Sequence, residues 1–343
     1  MTRSLQSLPK AHLHLHFTGS MRFATLADLA EKHDVRLPAG LSTGWPPQLS
    51  IADERGWFRF QRLYDAARAC VRDESDLRRL VREAAEDDAS EGSGWLELQI
   101  DPTSYAAGMG GVTPALEAVL DEAAIVSATG PTKVGIVVAA SRTRHPLDAR
   151  TLARLAARYA GVGPGQVVGF GLSNDERRGD TTEFHRAFDI AHAAGLAAVP
   201  HGGELLGPAH LDEISEHLRP HRIGHGVRAV EDPELLRRLI ERRVTFEVCP
   251  TSNVALGVYP DLASVPVGAL LEAGAKVALG ADDPLLFGPR LLAQYQSARE
   301  DQGLDDAQLA QLAHASVQGS LAPEATKVEL YAGIKAWLAS HAS

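Results

Sequence analysis

The sequence predicts an α/β fold, a closed (β/α)8 TIM barrel with a helical insertion after its first strand. Eight short apolar runs rich in β-branched residues recur along the 343-residue chain, and each ends in polar or special residues. Stretches rich in alanine, leucine and charged residues, with helical spacing, separate these runs. Such alternation of strand and helix is typical of parallel βα units, and eight of them close a barrel.

The predicted strands follow one another as a βα repeat requires. A doubly wound open sheet is the alternative, but it usually has a glycine-rich turn after its first strand, and HFTGSMR (16–22) is not a G-x-G-x-x-G motif. The eight strands are KAHLHLHF (10–17), GWLELQID (94–101), KVGIVVAA (133–140), QVVGFGLS (166–173), LAAVPHGG (196–203), HRIGHG (221–226), VTFEVCPTSN (244–253) and KVALGADD (276–283). Helical stretches such as DARTLARLAARYAG (148–161) lie between them, and YAGIKAWLASHAS (331–343) is expected to be a closing helix.

The gap from about residue 25 to residue 88 is too long for one barrel helix. It contains two amphipathic stretches, at 55–71 and 74–90, which predict a helical insertion within a single domain spanning 1–343. Loops that follow barrel strands lie at the catalytic end, so the insertion is expected at the barrel mouth. Its Trp57, Phe58 and Phe60 are expected to pack the insertion onto the barrel; an apolar lid over a planar ligand is the alternative.

Composition excludes several classes of function. The formal net charge is −10 with a pI of about 5.8, and no basic run is present, so nucleic-acid binding is not expected. The two cysteines, Cys70 and Cys249, are far apart and form no C-x-x-C, which suits a reducing compartment. No apolar run resembles a signal peptide or a membrane span. We therefore expect a soluble, cytoplasmic protein without a membrane partner, and its oligomeric state stays open.

Three histidines alternate with leucines in HLHLH, at His12, His14 and His16. Side chains of a strand alternate between faces, so the three imidazoles are expected to point the same way. Neighbours on one face lie roughly 6.5–7 Å apart along the strand, and imidazole nitrogens bind zinc at about 2.0–2.1 Å. One ion can therefore be shared by His14 and His16, nearer the mouth, whereas His12 is expected to be a structural hydrogen-bonding residue.

Other ligand-capable side chains stand at the ends of later predicted strands. Each has an ordinary structural explanation alone, since a histidine at a strand end is usually a hydrogen-bonded core residue and Asp-Asp-Pro usually begins a helix. Their occurrence at successive strand ends is what favours a metal site, because one barrel architecture brings those ends to one rim. The residues are His201 and Glu204 after the fifth strand, His225 after the sixth, and Asp282 and Asp283 after the eighth.

The motifs that carry these residues resemble those of the adenosine deaminase family, a branch of the metal-dependent amidohydrolase superfamily. They are LPKAHLHLHFTGS (8–20), PHGGEL (200–205), RIGHGV (222–227), EVCPTSNV (247–254) and LGADDPLLFG (279–288), in the family's order along the chain. The resemblance implies a hydrolase of purine metabolism that releases ammonia from a 6-aminopurine. It also implies one Zn²⁺ per chain, which generates hydroxide near neutral pH, with His14, His16, His201 and Asp282 as ligands.

The resemblance implies roles for the remaining residues. Glu204 would protonate N1 of the purine, and His225 would orient the attacking water and take part in proton transfer. Asp283 would bond N7, and the backbone of Gly203 would lie beside the base. In this scheme His16 also borders the substrate, and Asp282 takes part in catalysis as well as metal binding.

Two departures from the family pattern bear on the substrate. Thr18 stands where the adenosine branch typically has an Asp that reaches the ribose 5′-hydroxyl, and where relatives acting on free adenine often have Glu. Asn174 stands where the family commonly has a glycine, although Asn tolerates unusual backbone angles. Adenosine and 2′-deoxyadenosine are the first expectation, with Thr18 and Asn174 as substrate contacts. Free adenine and a 5′-modified adenosine are the alternatives.

Further alternatives concern the loop after the third strand, the number of metal ions and the presence of catalysis. Ser141, Arg142 and Arg144 follow the third strand and are expected to form a solvated loop, or else to contact a ribose or an acidic substituent. A binuclear amidohydrolase commonly uses a carboxylated lysine at the fourth strand. Because QVVGFGLSNDE (166–176) contains no lysine, a binuclear enzyme is not expected. A catalytically silent purine-binding protein would not need the full set of metal and acid–base residues.

Overall fold

The computed structural model describes residues 3–42 and 54–340. Its eight strands pair in chain order, each parallel to the next, which is the arrangement that a βα repeat builds. The strands are β1 (Lys10–His16), β2 (Ser93–Ile100), β3 (Lys133–Ser141), β4 (Val167–Ser173), β5 (Ala197–Gly202), β6 (Arg222–His225), β7 (Thr245–Val248) and β8 (Lys276–Leu279).

The last strand returns to the first at the mouth of the barrel. The amide of His16 donates to the carbonyl of Asp282 at 3.0 Å, and the amide of Asp282 donates to the carbonyl of His14 at 3.0 Å. The predicted (β/α)8 TIM barrel is confirmed. Its seam joins two segments on which the sequence places metal ligands, so closure of the barrel itself brings these segments together.

Helices connect the strands and cover the barrel. Their apolar faces are buried, and local signals fix several ends; Asp73 and Asp305 each form a capping box at a helix start. The helices are α1 (Phe23–Lys32), α2 (Ala39–Ser42), α3 (Glu54–Arg68), α4 (Glu74–Ser90), α5 (Ala106–Met109), α6 (Val112–Thr129), α7 (Pro146–Arg158), α8 (His185–Ala193), α9 (Pro208–Leu218), α10 (Pro233–Glu241), α11 (Pro250–Ala255), α12 (Val267–Glu272), α13 (Pro284–Phe287), α14 (Leu291–Glu300), α15 (Asp306–Gly319) and α16 (Glu324–Ala339).

Helices α1 to α4 lie between β1 and β2, where the sequence predicts an insertion. Trp57 and Phe60 are buried, and the Phe60 ring stacks on Phe287 of α13 with centroids 5.6 Å apart. Phe60 therefore packs α3 against α13, as expected, and Trp57 packs against the Phe60 ring of the same helix. Phe58 differs, since 54% of its surface is exposed. Part of the predicted insertion, residues 43–53, lies outside the described residues.

The strands separate two environments. On β2, Leu96, Leu98 and Ile100 join the apolar layer beneath the helices, whereas Glu97 lies inside the barrel. Both cysteines are buried and free. Over the ranges that the structure describes, no helix is both long enough and apolar enough to span a bilayer.

Candidate active site

The first strand brings two of its three histidines to the barrel mouth. A β-bulge interrupts its pairing with β2 between His12 and Leu15, so the alternation of faces is lost there. His12 Nδ1 lies 2.9 Å from Asp88 Oδ1 of α4, and His12 Nε2 accepts the amide of Ala281 at 3.1 Å. The expectation that three imidazoles share one face is therefore wrong for His12, because the bulge breaks the period of two.

Four ligand-capable side chains converge at the seam of the barrel. His16 Nε2 lies 3.1 Å from His201 Nε2 and 3.2 Å from Asp282 Oδ1. His14 Nε2 lies 3.7 Å from the same carboxylate oxygen. Two ligands of a tetrahedral zinc ion with bonds of about 2.0–2.1 Å are about 3.4 Å apart. The spacing of these atoms therefore matches the coordination shell of one such ion.

The chemistry of the cluster also fits a metal. Among the described residues, His14 Nε2 is buried and has no hydrogen-bond partner, although buried polar atoms nearly always have one. The second oxygen of Asp282 accepts the hydroxyl of Ser252, which orients the carboxylate. Three imidazoles and one carboxylate form a donor set that zinc favours. The residues present therefore fit the zinc ion that the resemblance implies.

Several site residues have unusual backbone conformations. Asn174, His225 and Asp282 have φ values of 79°, 64° and 60°, in the left-handed region that favours glycine. Each such residue costs on the order of 1–3 kcal/mol, and such conformations cluster at functional sites. Asn174 stands where the family commonly has a glycine, and its backbone has a conformation that glycine adopts readily. The side chains of His225 and Asp282 both lie beside the histidines of the cluster.

Glu204 is held in a buried loop beside this cluster. Glu176, also buried, accepts the backbone amides of Glu204, Leu205 and Leu206 at 3.2, 3.0 and 2.8 Å, which fixes the loop. Burial, and then the nearby carboxylates of Asp282 and Glu176, raise the pKa of the Glu204 carboxyl well above its usual range. A carboxyl group held protonated in this way can donate a proton to a bound base.

His225 occupies the space between Glu204 and the cluster. Its Nε2 lies 3.6 Å from Glu204 Oε1, and its Nδ1 lies 3.4 Å from the side-chain amide of Asn253. Burial lowers the pKa of His225 to about 3. The imidazole is therefore neutral near neutral pH.

Asp283 is buried at the start of α13, and its side chain does not cap that helix. Its Oδ1 has no hydrogen-bond partner within the described part of the chain. Burial, and then the charge of Asp282, raise the pKa of this carboxyl well above its usual range. Asp283 thus presents a polar atom that a purine nitrogen can satisfy.

The position of Asp283 depends on Gly19. A methyl group added at Gly19 would lie 1.8 Å from Asp283 Oδ1 and 2.7 Å from its Cα. We expect Gly19→Ala to displace Asp283, to destabilise the protein by about 1–3 kcal/mol through overpacking, and to lower kcat/KM about tenfold or more through the lost hydrogen bond. Gly268→Ala is the matched control, because a methyl group at Gly268 meets no atom within 4 Å. Thermal unfolding and steady-state kinetics would measure both effects, and unchanged kinetics in Gly19→Ala would contradict a role for Asp283.

A cavity of about 810 Å³ opens at the barrel mouth above these residues. Of the predicted site residues, those that line it are His16, Asn174, His201, Glu204, His225, Asp282 and Asp283. His14, Thr18 and Gly203 are not among its lining residues. Gly203 has a φ of 66° and its Cα faces Leu211. Thr18 is fully buried, and its hydroxyl lies 2.5 Å from the hydroxyl of Tyr105, which does line the cavity.

The loop after β3 differs from its predicted form. Arg142 is 2% exposed, so the expectation of a solvated loop is wrong for this residue. Its guanidinium donates to the hydroxyl of Thr181 at 2.7 Å and to the carbonyl of His201, and these bonds offset its burial. Arg144 is exposed at the cavity rim, and Ser141 bonds Thr143 at 2.9 Å.

The hydrogen bonds around Arg142 and Thr181 also include His210, which predicts that the stability of the protein depends on pH. His210 Nε2 lies 2.9 Å from the hydroxyl of Thr181, and burial, followed by the charge of Arg142, lowers the pKa of His210 to about 4. Between pH 4 and the unfolded value of about 6.5, the unfolded chain binds more protons, so stability falls as pH falls through this window. We expect His210→Asn to flatten the dependence by about 1 kcal/mol per pH unit. Urea unfolding of both proteins at several pH values would measure this, and identical slopes would contradict it.

Three residues that support the site received no role from the sequence, although Glu247 and Ser252 lie within the motif EVCPTSNV (247–254). Glu176 fixes the Glu204 loop, Ser252 orients Asp282, and Glu247 Oε2 lies 2.9 Å from His14 Nδ1. Only Glu247 has a local signal, since it is a lone acid within an otherwise apolar strand run. Glu176 lies in the loop after β4 and Ser252 lies in α11, and their roles come from neighbours distant in sequence.

The chain is similar in sequence and in structure to known deaminases. The family model described as Adenosine deaminase matches residues 9–337. A Streptomyces virginiae protein with the provisional name adenosine/adenine deaminase is 60% identical over 338 residues, covering 98% of each chain. The crystal structure of adenine deaminase from Arthrobacter aurescens has a TM-score of 0.87 at 27% identity, covering 97% of this chain and 99% of that one. Arabidopsis N6-mAMP deaminase has a TM-score of 0.84 at 25% identity, again covering 97% and 99%.

Proposed function

This chain belongs to the adenosine deaminase family, and on that premise we propose that it catalyses the zinc-dependent hydrolytic deamination of adenosine and 2′-deoxyadenosine. The products are inosine or 2′-deoxyinosine and ammonia. Family membership makes the chain an aminohydrolase for adenine-type substrates. The proposal places the activity in one barrel domain, residues 1–343, with residues 25–88 inserted at its mouth.

The observation that carries this proposal is the convergence of four donor atoms beside a buried carboxylic acid. His14, His16, His201 and Asp282 are the proposed zinc ligands, and their ligand atoms are spaced as one ion requires. A zinc ion held there would lower the pKa of a coordinated water to about 7 and so supply hydroxide near neutral pH. Residues outside the proposed ligand set would activate the purine ring and transfer protons.

Displacement of ammonia from C6 requires the ring to accept electrons. In the proposed mechanism, the protonated carboxyl of Glu204 donates to N1, which makes C6 electrophilic. His225 orients the water and takes part in moving the proton of the water to the departing amino group, and its lowered pKa keeps the imidazole neutral before the reaction. Oδ1 of Asp283, which has no hydrogen-bond partner among the residues that the structure describes, bonds N7. The proposal also gives Asn174 and the Gly203 backbone contacts with the base, consistent with their left-handed φ values.

A second candidate substrate is a 6-aminopurine other than adenosine. The cavity of about 810 Å³ is large enough for a nucleoside with a further 5′ substituent. The Thr18 hydroxyl is bonded to Tyr105 and does not line the cavity, which weakens its proposed contact with a ribose hydroxyl. A solved neighbour named adenine deaminase supports free adenine as a further alternative.

Ultraviolet-monitored deamination by the zinc-loaded protein tests the proposal. Adenosine, 2′-deoxyadenosine, adenine, N6-methyl-AMP and a 5′-modified adenosine would be compared at equal enzyme concentration. We expect the highest kcat/KM for the two unmodified nucleosides. Faster turnover of another 6-aminopurine would keep the chemistry and replace the substrate. Tight purine binding without turnover of any of them would instead support a catalytically silent binding protein.

A further inference from the structure

A row of buried charges crosses the barrel interior and ends on His14. Glu247 of β7 places Oε2 2.9 Å from His14 Nδ1. Its other oxygen accepts from the guanidinium of Arg222 on β6, and the same guanidinium donates to Glu97 of β2. The side chains of Glu247 and Arg222 are each 1% exposed, and that of Glu97 is 0% exposed.

The far end of this row is fixed to the backbone and to a tryptophan. Glu97 Oε1 accepts from Trp95 Nε1 at 2.9 Å and from the amide of Leu321 at 2.6 Å. Arg222 also donates to the carbonyl of Gly319, at the end of α15, at 3.0 Å. A buried ion row is rarely more stabilising than apolar side chains of similar volume. Its presence inside the barrel therefore favours a role beyond stability.

We propose that Glu247 is a positioning residue for His14, held in place by Arg222 and Glu97. An acceptor at His14 Nδ1 keeps the ring proton on that nitrogen, so the lone pair of Nε2 faces the other ligands. The row of two carboxylates and one guanidinium has a net negative charge, which makes the imidazole a better electron donor toward a cation. The inference rests on the zinc site of the proposed function, but not on turnover.

The chain contains a matched pair that lacks this role. His12 Nδ1 and Asp88 Oδ1 are also 2.9 Å apart, and both side chains are buried. Nε2 of His12 lies 3.1 Å from the Ala281 amide, which donates to it, and 3.1 Å from the carbonyl of His14. His12 therefore contacts the backbone beside the cluster but none of its ligand-capable side chains, so the two pairs separate a carboxylate beside such a side chain from one beside an ordinary buried histidine.

The experiment compares Glu247→Gln with Asp88→Asn. Both changes preserve side-chain shape and remove one carboxylate charge. Zinc affinity would be measured by competition with a chromogenic chelator, and the ligand field by visible absorption of the Co²⁺-substituted proteins. We expect Glu247→Gln to weaken zinc binding about 10–100-fold and to shift the Co²⁺ bands. Asp88→Asn should leave both readouts unchanged. Equal effects of the two changes, or unchanged zinc affinity in Glu247→Gln, would overturn the proposal.

A second measurement needs no variant at position 247. In the zinc-loaded wild type labelled with 15N-histidine, we expect a solvent-protected proton on His14 Nδ1, assigned by its loss in His14→Asn. A proton on Nε2, or the absence of a protected proton, would overturn the proposal even if Glu247→Gln does not fold. A wild type that binds zinc without deaminating any purine contradicts only the proposed function. A wild type that binds no zinc contradicts both.

Discussion

The Glu204→Gln variant should retain its fold and its zinc while kcat falls by about 10²–10⁴-fold, the usual contribution of a general acid. Glutamine preserves the shape of the side chain but cannot transfer a proton to N1. The carboxyl is buried, and its raised pKa keeps it protonated in the wild type. Because the uncharged amide replaces a group that is itself neutral, we expect no large change in substrate binding. Steady-state kinetics with adenosine, metal analysis and thermal unfolding would measure the three quantities.

Glu183→Gln provides the control for this change. Glu183 borders the same cavity but is exposed, and it lies outside the ligand cluster. We expect wild-type kcat and KM from this variant. Wild-type activity in Glu204→Gln would remove Glu204 as the acid. Loss of zinc in that variant would instead indicate that the carboxyl supports the ligand cluster.

The sequence was sufficient for the fold because the βα repeat is a local pattern. Each strand has its own apolar run, and the parallel order follows from alternation with helices. The convergence of these side chains was also predictable, since in a barrel the strand ends share one rim. His16, His201 and Asp282 thus meet although they are far apart in the chain.

The contacts that could not be predicted from the sequence depend on residues that are close in space but distant in the chain. The bulge in β1 has no glycine or proline to mark it, so the contact between His12 and Asp88 could not be foreseen. Arg142 has the composition of a surface loop around it, yet Thr181 and the His201 carbonyl pair with it in the interior. Thr18 has a hydroxyl suited to a substrate contact, but this hydroxyl forms a hydrogen bond with Tyr105, which follows the next strand.

The separate roles of His12 and His16 give the second large prediction. His16→Asn should abolish stoichiometric zinc binding and with it the deamination, because His16 Nε2 lies within 3.2 Å of two other ligand atoms. His12→Asn should retain one zinc per chain and lose about 1–3 kcal/mol of stability, the cost of leaving a buried hydrogen-bond partner unsatisfied. Metal analysis after dialysis and chemical unfolding of both variants would separate metal loss from destabilisation.

Chelation of the wild type provides the control for this pair. Removing the metal should abolish activity while the protein stays folded, and added zinc should restore it. The restored activity should be absent in His16→Asn and present in His12→Asn. Loss of zinc in His12→Asn would show that the assignment of ligands within HLHLH is wrong. The bonds of His12 to Asp88 and to the Ala281 amide argue against that outcome, because they occupy both ring nitrogens.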